Sequence, residues 1–180
     1  MVIRILISLW ILLFAMLIHS CEKEENIPLS DLELSLAPYN MNDTVVFLIS
    51  NLDTVEYHIY NRSLTYEYGW KNAPVNNATV YVQTLKILFT GNDNSKLTLQ
   101  IVAGVEPNFA SINLTYDKFE EWSIYTYSYK EVLDTLTVND HMFSSVYWFE
   151  EHSFEQRFYI KPGKGLIKIE FYSSIFEIIE

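Results

Sequence analysis

From residue 36 onward, apolar and polar side chains alternate with a period of two, the repeat of a strand that buries one face. In residues 55–60, Val55, Tyr57 and Ile59 take one side while Glu56, His58 and Tyr60 take the other. Residues 167–172 repeat the arrangement, with Ile167, Ile169 and Phe171 opposed to Lys168, Glu170 and Tyr172. Runs of the same character occupy 44–50, 79–89, 96–102, 110–116, 132–138, 143–149 and 154–160. Between them stand groups rich in residues that accept positive φ or close turns with their side chains: 51–53, 91–95, 106–108, Asn139-Asp140 and Lys161-Pro162-Gly163. These connections are too short for crossover helices. The pattern therefore predicts sequential hairpins, an all-β antiparallel meander that forms a barrel or a sandwich, lipocalin-like or a half-barrel, with little helix. A helical stretch is expected around 116–122, and an irregular excursion over 63–78.

The first twenty residues follow another rule. Arg4 gives a short positive start, residues 5–18 are apolar except for Ser8, and His19-Ser20 leads into Cys21 and the charged run Glu22, Lys23, Glu24, Glu25. This is the three-part layout of an export signal, and the apolar run falls short of the roughly 20 residues a spanning helix needs. The expected organisation is a signal peptide over 1–20, an acidic tether over 21–35 and one β-rich domain over 36–180. One domain suits a chain of 180 residues. Removing the first twenty residues, which hold one base and no acid, takes the net charge from −11 to −12. So acidic a surface repels phosphate backbones, which argues against nucleic acid as a partner.

Residues 17–21, Leu-Ile-His-Ser-Cys, resemble a bacterial lipobox: a branched apolar residue three before the cysteine, a small residue just before it, then the cysteine itself. The resemblance implies that Cys21 becomes the mature N-terminus and is lipidated, its thiolate taking up a diacylglyceryl group as a thioether. Two or three acyl chains, such as palmitate, at about 0.8 kcal/mol per buried CH₂, anchor a protein stably where one chain does not. No cysteine follows Cys21, so no disulfide can brace the domain. Glu22, Lys23, Glu24 and Glu25 resemble the acidic export tag of surface-displayed lipoproteins of Bacteroidota, and an ordinary charged tether reads the same way. Pro38-Tyr39 with 43–47 and 50–53, and the closing segment 158–168, resemble the two ends of small Bacteroidota cell-surface lipoproteins; Asn42 stands where glycine is expected. The resemblance implies an exported β domain on the outer membrane, displayed at the cell surface or held on the periplasmic face, and implies no activity.

Signatures of catalysis are missing: the chain has no Gly-x-Ser-x-Gly, no His-Glu-x-x-His and no phosphate loop, and it has five glycines in all. The reading is accordingly non-enzymatic, with no cofactor and no metal site expected from the scattered His58, His141 and His152. The adjacent pairs Glu120-Glu121 and Glu150-Glu151 diverge on helix and strand alike, so a glycan-acting hydrolase would need carboxylates from separate segments. Aromatic side chains are the most suggestive feature. Tyr125, Tyr127 and Tyr129 would share one side of an extended segment and, with Trp122 and Trp148, are the candidate ligand-binding rings for a glycan, lipid or protein; equally, such rings fill cores and cross-strand ladders. Thr44, Thr54 and Thr135 sit in Asp-Thr-aliphatic triplets resembling the O-glycosylation signal of exported Bacteroidota proteins, a pattern that a turn-closing Asp before a strand also produces. The leading reading is a surface-tethered interaction domain; the alternatives are an envelope structural or assembly component that holds a partner by a β edge and, third, the glycan-acting hydrolase.

Overall fold

The computed structural model describes residues 24–50, 53–68, 79–104, 111–117, 122–126, 131–151, 156–171 and 174–179. Twelve strands join in one sheet: β1 Glu24–Ile27, β2 Thr44–Ile49, β3 Asp53–Tyr68, β4 Thr79–Gly91, β5 Lys96–Val102, β6 Ser111–Asp117, β7 Trp122–Thr126, β8 Glu131–Val138, β9 His141–Glu151, β10 Gln156–Lys161, β11 Gly165–Phe171 and β12 Ser174–Ile178. One short helix, α1, spans Asp31–Ser35. The sheet order is β7-β6-β5-β4-β3-β2-β12-β11-β10-β9-β8, antiparallel throughout, with β1 added in parallel to β4. Two meanders, β2 to β7 and β8 to β12, are thus stitched together where β12 pairs with β2. No ladder joins β7 to β8 among the described residues, and the sheet stays open rather than closing into a barrel.

The interior is built as rows of apolar side chains running across the strands. Leu85, Ile101 and Ile112 stand opposite one another on β4, β5 and β6; Ile87, Leu99 and Leu114 form the next row, and Phe89, Leu97 and Tyr116 the third. The other half answers with Phe149, Phe158, Ile169, Phe176 and Ile49 across β9, β10, β11, β12 and β2. These rows merge into one buried cluster. Tyr116 of β6 stacks on Phe171 of β11 with ring centroids 5.4 Å apart and meets Phe176 of β12 edge-on at 5.5 Å. The sheet therefore curls until its two halves face each other, and each fully buried Leu, Ile or Phe contributes about 1.5–3 kcal/mol.

Turn chemistry fixes the register. Asn139 and Asp140 both have positive φ, 48° and 66°, and form the two-residue link between β8 and β9, the conformation that matches strand twist. Lys164 N–H donates to the Lys161 carbonyl across Pro162-Gly163, with Gly163 at φ 78°. Asn42 has φ 70°, so asparagine fills the left-handed position where glycine was expected. Between β4 and β5, Asp93 accepts from both the backbone N–H and the hydroxyl of Ser95, and Tyr57 shares a 2.8 Å bond with that hydroxyl.

Three expectations need correction. Residues 63–68 continue β3 instead of starting an irregular excursion. Residues 116–117 are strand and β7 starts at Trp122, so no helix is seen at either end of 116–122. Ile167 does not share a side with Ile169, because the β10–β11 register shifts at Tyr159/Ile160 and turns Ile167 into a second cluster with Val138, Phe143, Val146 and Tyr159. Within the segment expected as a tether, the described residues hold β1 and α1. There, Ser30 caps α1 by accepting from Glu33 N–H while the Glu33 carboxylate accepts from Ser30 N–H, so both orphan donors are met. The helix leads Leu36, Ala37 and Tyr39 into the core.

Candidate binding surface

Four of the exposed large apolar side chains of the described residues gather on one strand, from the middle of β3 to its end, although Met142 of β9 is more exposed than any of them. Tyr60, Leu64, Tyr66 and Tyr68 are 48%, 44%, 48% and 61% exposed, values that set this strand apart from the buried Val55, Tyr57 and Ile59 of its first half. The change of character has a structural cause. β2 accompanies β3 only as far as Thr44 opposite His58, ending in bonds from Asn42 N–H to the Ile59 carbonyl and from Ile59 N–H to the Asp43 carbonyl. A register shift between Ile59 and Asn61 follows. Beyond it β3 pairs only with β4, up to Tyr68 opposite Tyr81, and its other edge carries no partner strand among the described residues.

This overhanging ribbon is braced from behind. β1 lies on the far side of β4, with Glu24 beside Thr79 and Ile27 beside Val82. The Gln83 side-chain oxygen accepts from Leu29 N–H at 2.9 Å, and its carbonyl accepts from Ala103 N–H at 2.9 Å. Strict alternation along β3 puts Leu64, Tyr66 and Tyr68 on one side and Ser63, Thr65 and Glu67 on the other. Tyr68 and Tyr81 meet edge-on at 6.3 Å. The result is a strand presenting rings, hydroxyls and, among the described residues, a row of backbone donors and acceptors with no partner strand, the features by which interfaces take hold of a partner. The alternation of Leu64, Tyr66 and Tyr68 with Thr65 and Glu67 is present in the sequence and could have identified it.

The residues singled out by sequence distribute differently. Trp122 and Tyr125 belong to β7, in register with Tyr116 and Asn113, while Tyr127 and Tyr129 lie outside the described residues. Trp148 is half-buried in the second cluster; its indole N–H has no hydrogen-bond partner among the described residues, and the Arg157 guanidinium lies 5.8 Å from its ring centroid. It serves a ladder: Arg157 pairs with Glu150 at 2.7 Å, Tyr159 donates to Glu170, and Lys168 bridges Glu170 and Glu177 at 3.0 and 3.4 Å. Glu150 is thereby engaged by Arg157, whose pKa it raises through that hydrogen bond. Burial, reinforced by the Glu170 charge, pushes the Tyr159 hydroxyl up to about 12.

Cys21, Glu22 and Lys23 lie outside the described residues, and Glu24 and Glu25 open β1, exposed. Thr44, Thr54 and Thr135 are all exposed on strands; the Thr44 hydroxyl is bonded to His58 Nδ1 at 2.9 Å. Among the described residues no three of His, Cys, Asp and Glu come together to hold a metal, and no helix is long and apolar enough to cross a membrane. No family model matches the chain, and comparison with curated proteins and with solved structures finds no match.

Proposed function

We propose that the chain is a bacterial lipoprotein, anchored in the outer membrane through Cys21 and displayed at the cell surface, whose β domain is a non-enzymatic interaction module. The observation that carries the interaction role is the run Tyr60, Leu64, Tyr66, Tyr68, exposed where β3 runs on past β2 and, among the described residues, pairs with β4 alone. Soluble folds cover or blunt such edges. Here the edge is left open beside aromatic rings, which stack on sugars, sit at lipid headgroups or pack on protein, so glycan, lipid and protein are the ligand classes the surface suits. The anchor rests on the lipobox resemblance of residues 17–21 and the export-tag resemblance of residues 22–25.

A photoreactive residue placed at position 66 tests the interaction role in intact cells. A covalent adduct that is lost when the reactive residue is moved to the buried position 87 supports it, and the absence of any adduct at 66 contradicts it. The second reading, an envelope assembly component, draws on the same free edge and on the backbone groups of residues 61–68. It expects the adduct at 66 to be a protein and expects Tyr68→Ser to leave it intact, since main-chain pairing does not need the ring.

A further inference from the structure

β1 fixes the position of the first described residues of the chain. It runs parallel to β4, with Glu24 beside Thr79 and Asn26 beside Tyr81, and Tyr81 stands opposite Tyr68. Asn26, Tyr81 and Tyr68 are therefore abreast on three adjacent strands. Because β1 and β4 point the same way, Glu24 stands at the outer end of the ribbon, beside Thr79. Tyr68 and Tyr81 sit two residues below Glu24, about 7 Å along the strand. Three residues carry the chain from Glu24 to Cys21, a reach of at most about 10 Å. Along the strand direction, then, the tyrosine pair stands within about 17 Å of the cysteine, whatever path the intervening residues take.

Tyr66 and Tyr68 have the chemistry of that location. An apolar ring with a polar tip settles at the headgroup level of a bilayer, and these two are among the most exposed large side chains of the described residues. Glu24, Glu25 and Glu67 are exposed close by, so an anionic leaflet would repel the tip and a zwitterionic one would not. The opposite end of the ribbon lies far from the anchor: β4 runs nine residues from Tyr81 to Thr90, about 30 Å.

We propose that the tyrosine tip of the β3–β4 ribbon, formed by Tyr66, Tyr68 and Tyr81, rests in the headgroup layer of a zwitterionic membrane next to the Cys21 anchor and holds the domain in one orientation. This assigns a lipid surface to the binding surface described above and rests on Cys21 being lipidated. The β4–β5 turn then points away from the membrane.

The chain has no cysteine besides Cys21, and lipidation consumes that thiol, so Tyr68→Cys introduces a single labelling site. Lys96→Cys, exposed at the start of β5 opposite Thr90, is the distant control. The lipidated full-length protein, labelled with an environment-sensitive fluorophore, is placed in phosphatidylcholine–phosphatidylethanolamine vesicles carrying a headgroup nitroxide. Quenching at position 68 at least threefold stronger than at position 96 is the expected result. Equal quenching, or none at 68, in a protein whose intact mass shows diacylated Cys21 overturns the proposal and leaves the anchor standing. A mass showing unmodified Cys21 overturns both. Self-quenching at 68 that grows with protein density in nitroxide-free vesicles shows a second copy on the ribbon, and overturns the lipid contact.

Discussion

Tyr39 and Gly165 show how much a single position can decide here. Gly165 has φ 87°, and a Cβ built on it would overlap the Tyr39 ring, while the Tyr39 hydroxyl accepts from Leu166 N–H at 2.5 Å and its ring meets Phe89 edge-on at 5.2 Å. Adding a methyl group at 165 both strains the backbone and expels a buried ring. Gly165→Ala should therefore cost about 3 kcal/mol or more, the sum of left-handed strain and overpacking, read as a fall in urea midpoint at constant slope. The buried tyrosines give a second expectation. Burial raises the Tyr39 and Tyr57 hydroxyls above their ordinary value of about 10, and Tyr159 reaches about 12. Between the unfolded and folded values the unfolded chain gives up protons that the native one keeps, so stability is full below pH ~10 and falls as pH rises through about 12. Denaturant midpoints measured from pH 8 to 12 should drop across that window, and Tyr57→Phe together with Tyr159→Phe should flatten the drop.

At the scale of elements, period-two alternation located most of the strands because one face of each is buried and the other wet: Val55, Tyr57 and Ile59 are the plain case. What alternation could not locate were features set by long-range contact. β1 is the four residues Glu24–Ile27, exposed or half-buried, with no apolar rhythm of its own, and it is a strand only because β4 offers it an edge. The shift that sends Ile167 to the second cluster depends on how β10 and β11 meet, which neither strand encodes alone. α1 lies in the segment expected as a tether: Ser30 and Glu33 stand at capping-box spacing and could have marked it, but its five residues are too few for a helical period to show. Ser30→Ala removes the acceptor of Glu33 N–H and should cost about 1 kcal/mol. Because α1 leads Leu36 and Tyr39 into the core, amide exchange should rise over residues 31–37 in that variant, measured by mass spectrometry, while β5 and β6 stay protected. The binding surface was half legible. The tyrosines of β3 alternate openly in the sequence, but their exposure follows from β2 stopping at Thr44, a fact of topology.

The molecule as a whole has a direction. Its N-terminal strand, the outer end of the β3–β4 ribbon and the exposed Tyr66 and Tyr68 share one end, and the β4–β5 turn marks the other. A curled sheet with a buried apolar cluster forms the body, and the second half of β3, without a second partner strand among the described residues, is the proposed contact. Both acquire a purpose if the chain is held at a membrane through its N-terminus, and that anchoring is the claim on which the functional account stands. The direct measurement is the intact mass of the protein purified from the membrane fraction of its native host. The account predicts a chain beginning at Cys21 and carrying diacylglycerol. A chain that begins at Met1, or one that begins at Cys21 with no lipid mass added, would contradict it.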